Sequence, residues 1–432
     1  MNKDAIYRKV LGCLVGGLIG DAMGAPVEGW PYARIVAEKG YIDNFEGGGT
    51  DDSAIKLILC EALIKNGGHV TADDFAESFL NHKEDYGLFF VPVRNMFHKI
   101  QDELTLPVEA GRDNAASSSS AMSIAPIGIV NACDPRTAAA EAYEAAGLIH
   151  SGCSSFCRDG ASAIAAAVAE AFRPGATVEA VLDAAVAFLH KKSAAAMRGR
   201  IGETLALARA SACAFETCGT GNAGGCDCDI QTGNAGGSDF GGGIGAGSSG
   251  GGNVTGSVGG SFGTGNGNSA CGIGSGSKAG YFEFRKRYYE TAHLYNTICD
   301  SRETVPVALA LFLLAGGDAS LAVEFGANFG RDADTIATMA GAIAGAYSSI
   351  GGFRRHWVAN ALGKNVVHSS DDNAGKNNIP TINNDNSDEL YRLPQGSPDA
   401  VFQEKLAEDM TDLLIRRYKE KAAIMTHLDA IC

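Results

Sequence analysis

The sequence lacks a surplus of basic charge: 35 Lys and Arg stand against 50 Asp and Glu in 432 residues, giving a formal net charge of -15 and a pI near 5.1. A duplex nucleic-acid binder needs a basic footprint to displace phosphate counterions, so no nucleic-acid partner is expected. No alternation of apolar and polar residues runs long enough to argue for a sheet. After the N-terminal region no stretch of about 18 uninterrupted apolar residues follows, so no membrane span is expected. The 12 cysteines, from Cys13 to Cys432, include no paired Cys-x-x-Cys knuckles. That argues against zinc even at Cys213, Cys218, Cys226 and Cys228, and a chain this long needs no disulfide staples to fold. Reduced thiols and a cytoplasmic location are the expectation. The glycine-rich stretch has neither a Gly-Lys-Ser/Thr ending nor a preceding strand, which argues against a phosphate-cradling loop.

What is present is helical periodicity in a chain 45% hydrophobic and 20% charged, enough to bury a substantial core. From Ile6 the positions Val10, Cys13, Leu14, Gly17 and Leu18 recur at three- and four-residue steps. Lys3, Arg8 and Lys9 before Val10–Ile19 mimic a signal peptide, but Gly12, Gly16, Gly17, Gly20 and Asp21 fit a packed helix better. Asp21 continues the inward face, where holding a neighbouring loop backbone is a sufficient role. A second helix starts at Asp51 and closes at Asn66-Gly67-Gly68. Ala-rich helices are expected over Asp134–Ile149, Asp159–Phe172, Thr177–His190 and Gly199–Ala214. Thr304–Leu314, Ser320–Phe325, Asp334–Tyr347 and an amphipathic Val401–Asp429 complete the set. The expected architecture is all-α and compact, with one domain over residues 1–363. Close to half of the chain's 57 glycines fall between 218 and 277, a segment too polar to offset its ordering entropy and therefore expected as a disordered insertion. A polar loop over 364–390 then leads to a C-terminal helix within 391–432, expected to pack on the same domain.

Two acidic clusters stand out. Thr50-Asp51-Asp52 follows a Gly-rich turn, and taken alone its hydroxyl caps a helix whose dipole the two acids complement. Asp332-Ala333-Asp334-Thr335 has the same bland explanation at the start of another helix. Together they offer six oxygen-bearing side chains and no His or Cys, a set that suits Mg²⁺ or Mn²⁺ rather than Zn²⁺. Four carboxylates brought close would repel one another unless one or two divalent ions neutralised them.

Three segments carry a family resemblance: Gly20-Asp21-Ala22-Met23-Gly24 followed by Glu28, then Gly49-Thr50-Asp51-Asp52-Ser53, and finally Gly330-Arg331-Asp332-Ala333-Asp334-Thr335-Ile336-Ala337. Their order and spacing resemble the ADP-ribosylglycohydrolase family, which includes the dinitrogenase reductase-activating glycohydrolases. The resemblance runs over about Tyr7–Trp357, without the glycine-rich segment. It implies an all-α fold with two Mg²⁺ or Mn²⁺ ions at the bottom of an ADP-ribose cleft. Thr50, Asp51, Asp52, Asp332, Asp334 and Thr335 match the family's metal ligands. Glu28 and Asp85 match acidic residues near the substrate and are the candidate proton donor or acceptor. His150 resembles the family's ligand-facing histidine, although Ile149 stands where a Thr is usual. Without the resemblance, Glu28 is a turn residue between Pro26 and Gly29, and His150 a helix-end histidine satisfied by a carbonyl.

One loop departs from the pattern. The family commonly has Asn-Gly-Ala-Ala-Met-Arg before Ala-Pro-Leu-Gly, whereas this chain has Ser118-Ser119-Ser120-Ala121-Met122-Ser123 before Ala125-Pro126-Ile127-Gly128. Ser118, Ser120 and Met122 then stand as candidate substrate contacts. The resemblance implies an ADP-ribosylated protein or a small ADP-ribosyl conjugate as partner. The altered loop also leaves open another ribosyl substrate, or a catalytically silent member of the fold, as in the eye-lens crystallins that resemble the family.

Overall fold

A row of glycines sets the architecture. Gly12, Gly16, Gly20 and Gly24 recur every fourth residue along the helix Lys3–Gly24, and four-residue spacing places them on one face. That face meets the helix Ala333–Ser348 at backbone distance. A Cβ at Gly12 would lie 2.5 Å from the Gly345 carbonyl oxygen, and one at Gly16 would lie 2.4 Å from that of Gly341. At Gly20 the carbonyl oxygen of Ala337 would be 2.2 Å away, and at Gly24 the amide nitrogen of Asp334 would be 2.3 Å away. The partner positions fall as the glycine numbers rise, so the two helices run antiparallel. Their register puts the last turn of the first beside the first turn of the second.

The structure, a computed structural model, describes residues 2–219, 277–291, 294–363 and 400–429. The glycine-rich segment expected over 218–277, but for its edges, and the whole polar loop expected over 364–390 lie outside the described residues. Segments Met1–Phe215 and Ile273–Cys432 belong to one compact unit, which carries all the elements described below. Among the described residues there is no strand. Two isolated bridges occur, Pro31 with Gly330 and Arg112 with Ser151. The fold is all-α, as the sequence indicates.

The first helix is long and apolar enough to cross a membrane by composition, yet 89% of that window is buried inside the protein. The alanine-rich helix Phe156–Ala171 packs on Pro135–Ala145, Val178–Ala187 and Ala333–Ser348. Its small side chains allow all four to approach closely. The C-terminal helix Ala400–Asp429 buries Phe402, Leu406, Ala407, Met410 and Leu413. It touches the first helix through Lys3 and Asp412 at 2.5 Å, and Arg417 pairs with Glu141.

Most expected helices appear with shifted ends. The expected Asp134–Ile149 is an α-helix over Pro135–Ala145, capped by Asp134 and continued by a 3₁₀ turn at Ala146–Leu148. The expected Ser320–Phe325 runs over Ala319–Phe329 and stops at Gly330, whose φ of +85° ends the helix. Several further helices are present that apolar periodicity does not announce: Tyr32–Glu38, Ala72–Asn81, Val91–Gln101, Lys278–Glu290 and Arg355–Ala361. These carry more polar residues and gain their helicity from docking, except that Ala72–Asn81 has a capping box of Thr71 and Asp74 readable in sequence.

Candidate metal centre

Asp21 lies in the last turn of the first helix, fully buried. Its carboxylate accepts four hydrogen bonds: from the Thr50 amide at 2.9 Å and hydroxyl at 2.9 Å, and from the Ser53 amide at 3.0 Å and hydroxyl at 2.5 Å. This buried acid therefore fixes the N-terminus of the helix Asp51–Lys65, the loop-holding role expected of it. Gly49 admits the carboxylate, since a Cβ there would lie 2.6 Å from Asp21 Oδ2. Thr50 caps the helix by accepting the Asp52 amide at 3.4 Å.

The second acidic cluster is set by a strained loop. Gly330 and Arg331 both have positive φ, +85° and +62°, and Arg331 is held there by its guanidinium. Arg331 Nε donates to the fully buried Glu303 at 2.5 Å, and Nη2 bonds the Tyr295 carbonyl. Asp332 occupies the cap position of Ala333–Ser348 but makes no capping bond, contrary to the simple explanation of its place. Its carboxylate accepts from the Ser118 hydroxyl at 2.9 Å. The Glu28 turn is joined to this loop by two backbone bonds, Gly29 N to Arg331 O at 2.7 Å and Arg331 N to Trp30 O at 2.7 Å.

The clusters thus converge. Carboxylate oxygens of Asp21, Asp52 and Asp334 lie within 4.8 Å of one another, and so do those of Glu28, Asp332 and Asp334. Asp334 belongs to both sets. Asp52 Oδ2 accepts from Thr335 at 3.3 Å, while Asp52 Oδ1 and Asp334 Oδ1 are buried with no hydrogen-bond partner. Asp51 sits beside them with Oδ2 accepting from the Phe90 amide at 3.2 Å. Glu28 alone of these acids is exposed, so it stands at the mouth of the centre.

Electrostatics follow from that crowding. Burial, then the charge of Asp21, pushes Asp51 up to about 7. Burial also drives Asp332 up to about 7, against the hydrogen bond from Ser118. Burial and the neighbouring carboxylates hold Asp52 and Asp334 well above the usual range. Lys56, buried on the helix Asp51–Lys65, donates to the Leu14 carbonyl at 3.4 Å; burial lowers its pKa, and the nearby charge of Asp21 acts the other way. Bare buried oxygens without donors are costly, and an all-oxygen set of this density fits a hard divalent cation.

The remaining candidates have partners of their own. Asp85 lies on the 3₁₀ turn Lys83–Gly87, bonded at 3.3 Å to His82 Nδ1, whose Nε2 meets Glu61 at 2.6 Å. His150 is fully buried and bonds Ser117 at 3.0 Å through Nε2 and Ser120 through Nδ1. Its burial pulls the imidazole down to about 3, so it is neutral. Ser118, Ser120 and Met122 are buried as well, and Met122 Sδ accepts from Thr335 at 3.9 Å. Ser53, Lys56, Glu303 and Arg331 support the centre and were not singled out by sequence. Ser53 and Arg331 sit inside the quoted motifs, and Lys56 interrupts an apolar helix face, which is the signal that was available.

The match to an ADP-ribosylglycohydrolase family model covers residues 2–229 and 281–382. An uncharacterized Escherichia coli (strain K12) protein, YegU, is 30% identical over 138 residues, which are 28% of this chain and 41% of that relative. The match thus spans well under half the length of that relative. A solved structure described as an ADP-ribosylglycohydrolase-related protein complex is similar in fold, with TM-score 0.54 and 18% identity over 95% of this chain and 99% of that one. With the family model covering most of the sequence and the acidic residues of its motifs gathered in one place, the chain belongs to the ADP-ribosylglycohydrolase family.

Proposed function

We propose that the protein hydrolyses the glycosidic bond joining an ADP-ribosyl group to a protein or small acceptor, at a centre of two Mg²⁺ or Mn²⁺ ions. The observation that carries the reading is the pair of buried, partnerless oxygens, Asp52 Oδ1 and Asp334 Oδ1, within two carboxylate triads that share Asp334. Asp52, Asp334, Asp332 and Glu28 would hold the ions, with Thr50, Asp51 and Thr335 adjoining. Ions bound there supply Lewis acidity toward ribose oxygens and lower the pKa of a water. Asp21 and Ser53 fix the helix start that presents Asp51 and Asp52, while Arg331 and Glu303 fix the loop that presents Asp332.

Breaking the bond develops positive charge on the ribose, so the site must hold the sugar hydroxyls and supply a nucleophilic water. Glu28, exposed at the mouth and grouped with Asp332 and Asp334, is the proton acceptor or donor favoured by geometry. Asp85 is engaged with His82, so its part is to hold that turn. Ser118 orients Asp332, and His150 braces Ser117 and Ser120 from behind. The protein acts in the cytoplasm on this reading.

Release of ADP-ribose from a mono-ADP-ribosylated peptide with Mn²⁺, compared with Asp332→Ala, tests the proposal. Undiminished turnover in the variant, or after thorough chelation, would sink it. The serine loop favours one second reading, a silent ADP-ribose-binding member of the fold. Its side chains are buried and engaged within the protein, Ser118 with Asp332 and Ser117 and Ser120 with His150. Metal-dependent ADP-ribose binding without turnover on any linkage would select that reading instead.

A further inference from the structure

The chain that follows Asp85 leaves three apolar side chains in solvent beside the acidic centre. Leu88, Phe90 and Val91 are all exposed, whereas Phe89 is buried and Tyr86 partly so. The Phe89 ring lies 5.6 Å from that of Phe79 and 6.2 Å from that of Phe97, and Tyr86 lies 5.5 Å from Phe97. These inward rings anchor the segment. Its backbone is tied as well, because Arg94 Nη2 donates to the Gly87 carbonyl at 2.8 Å and the Phe90 amide donates to Asp51 Oδ2 at 3.2 Å. The exposed trio is therefore held in place.

Phe90 breaks two local rules. It occupies the N-cap of the helix Val91–Gln101, where a Ser, Thr, Asp or Asn side chain would bond a free amide, and it makes no capping bond. Its ring is not buried in the core either. A large apolar residue that serves neither the helix nor the core marks a surface kept for contact. Asp51, whose carboxylate the Phe90 amide holds, is itself partly exposed and adjoins Asp52. The apolar trio thus borders the acidic centre at the remove of one hydrogen bond.

We propose that Leu88, Phe90 and Val91 form the subsite for the acceptor from which the ADP-ribosyl group is released, and that they select protein acceptors with apolar side chains beside the modified residue. This inference rests on the function proposed above. The acceptor is bonded directly to the anomeric carbon at which the centre acts. Adenine, the other apolar group of such a substrate, lies beyond two phosphates and a second ribose, so a surface next to Asp51 meets the acceptor first. A small polar acceptor would leave all three side chains in water. Apolar residues flanking the modified position would cover them.

The test uses short peptides mono-ADP-ribosylated on arginine in one set and on serine in another, each with leucines or with glycines flanking the modified residue, and the modified free amino acids. With the full chain and Mn²⁺, kcat/KM for the leucine-flanked peptide should exceed that for the glycine-flanked one about tenfold, and Phe90→Ser should remove the difference. Serine is a favoured cap and keeps the amide that holds Asp51, so this variant should melt no lower than the parent. If it does not fold, Leu88→Ser carries the comparison. Equal rates on both peptides in the parent overturn the proposal, as does a preference that the folded variant retains. An equal loss on peptides and free amino acids overturns it too, by assigning Phe90 to the ADP-ribose half. Fluorescence anisotropy of the labelled peptides reads the same preference as affinity if turnover is absent. Modified peptides neither cleaved nor bound would remove the function proposed above, and this inference with it.

Discussion

Gly20 and Ala337 meet backbone to backbone: a Cβ on Gly20 would lie 2.2 Å from the Ala337 carbonyl oxygen. This contact fixes Asp21, the next residue, beside the turn that carries Asp334. The distance between the two acidic clusters is therefore set by a glycine row that itself holds no charge.

Substituting that glycine should damage both stability and the centre. Gly20→Ala forces an overpacked helix pair, at a cost of about 1–3 kcal/mol or more. Gly199 is also helical but has nothing within 4 Å of an added Cβ, so Gly199→Ala should be neutral or slightly stabilising. Chemical denaturation and Mn²⁺ titration of the pair compare the two. Equal stability and equal metal affinity in both variants would remove the glycine row from the account.

The Arg331–Glu303 pair makes a second, separable claim. Glu303 is fully buried, and Arg331 sits at positive φ immediately before Asp332. Glu303→Ala leaves the guanidinium without its anion, and breaking a buried pair costs about 3–5 kcal/mol. The loop should then relax and weaken Mn²⁺ binding at the triad containing Asp332. A destabilised variant that binds metal as tightly as before would show the pair to be structural alone.

His82 gives a pH signature. Burial alone would lower its pKa, but hydrogen bonds to Asp85 and Glu61 outweigh that and raise it to about 9. The protonated form is thus favoured in the folded state, so its stabilisation is complete below the unfolded value near 6.5 and is lost as pH rises through 9. Melting temperature should fall over that window, and Asp85→Asn should move the fall to lower pH with turnover largely kept. Loss of turnover in Asp85→Asn with an unmoved His82 titration would return Asp85 to the reacting centre.

The sequence made the helical class and the two acidic motifs legible because both are local patterns: apolar positions at three and four, and acids at helix starts. Thr50 does cap its helix, as local chemistry requires. Asp332 does not, and its freedom comes from Arg331, whose partner Glu303 is 28 residues away. No local pattern announces such a pairing. Gly12, Gly16 and Gly20 were visible as a packed face, but their partners Gly345, Gly341 and Ala337 appear only when the chain has folded. The same distance effect gives Asp85 its partner His82 and turns His150 inward onto Ser117 and Ser120.

The most direct measurement is the number of Mn²⁺ ions bound by the full chain and by Asp334→Asn, counted by equilibrium dialysis with elemental analysis. Asp334 contributes to both triads, so the account predicts two ions per chain and the loss of both in the variant. A full chain that binds no Mn²⁺, or a variant that keeps both ions, would contradict it.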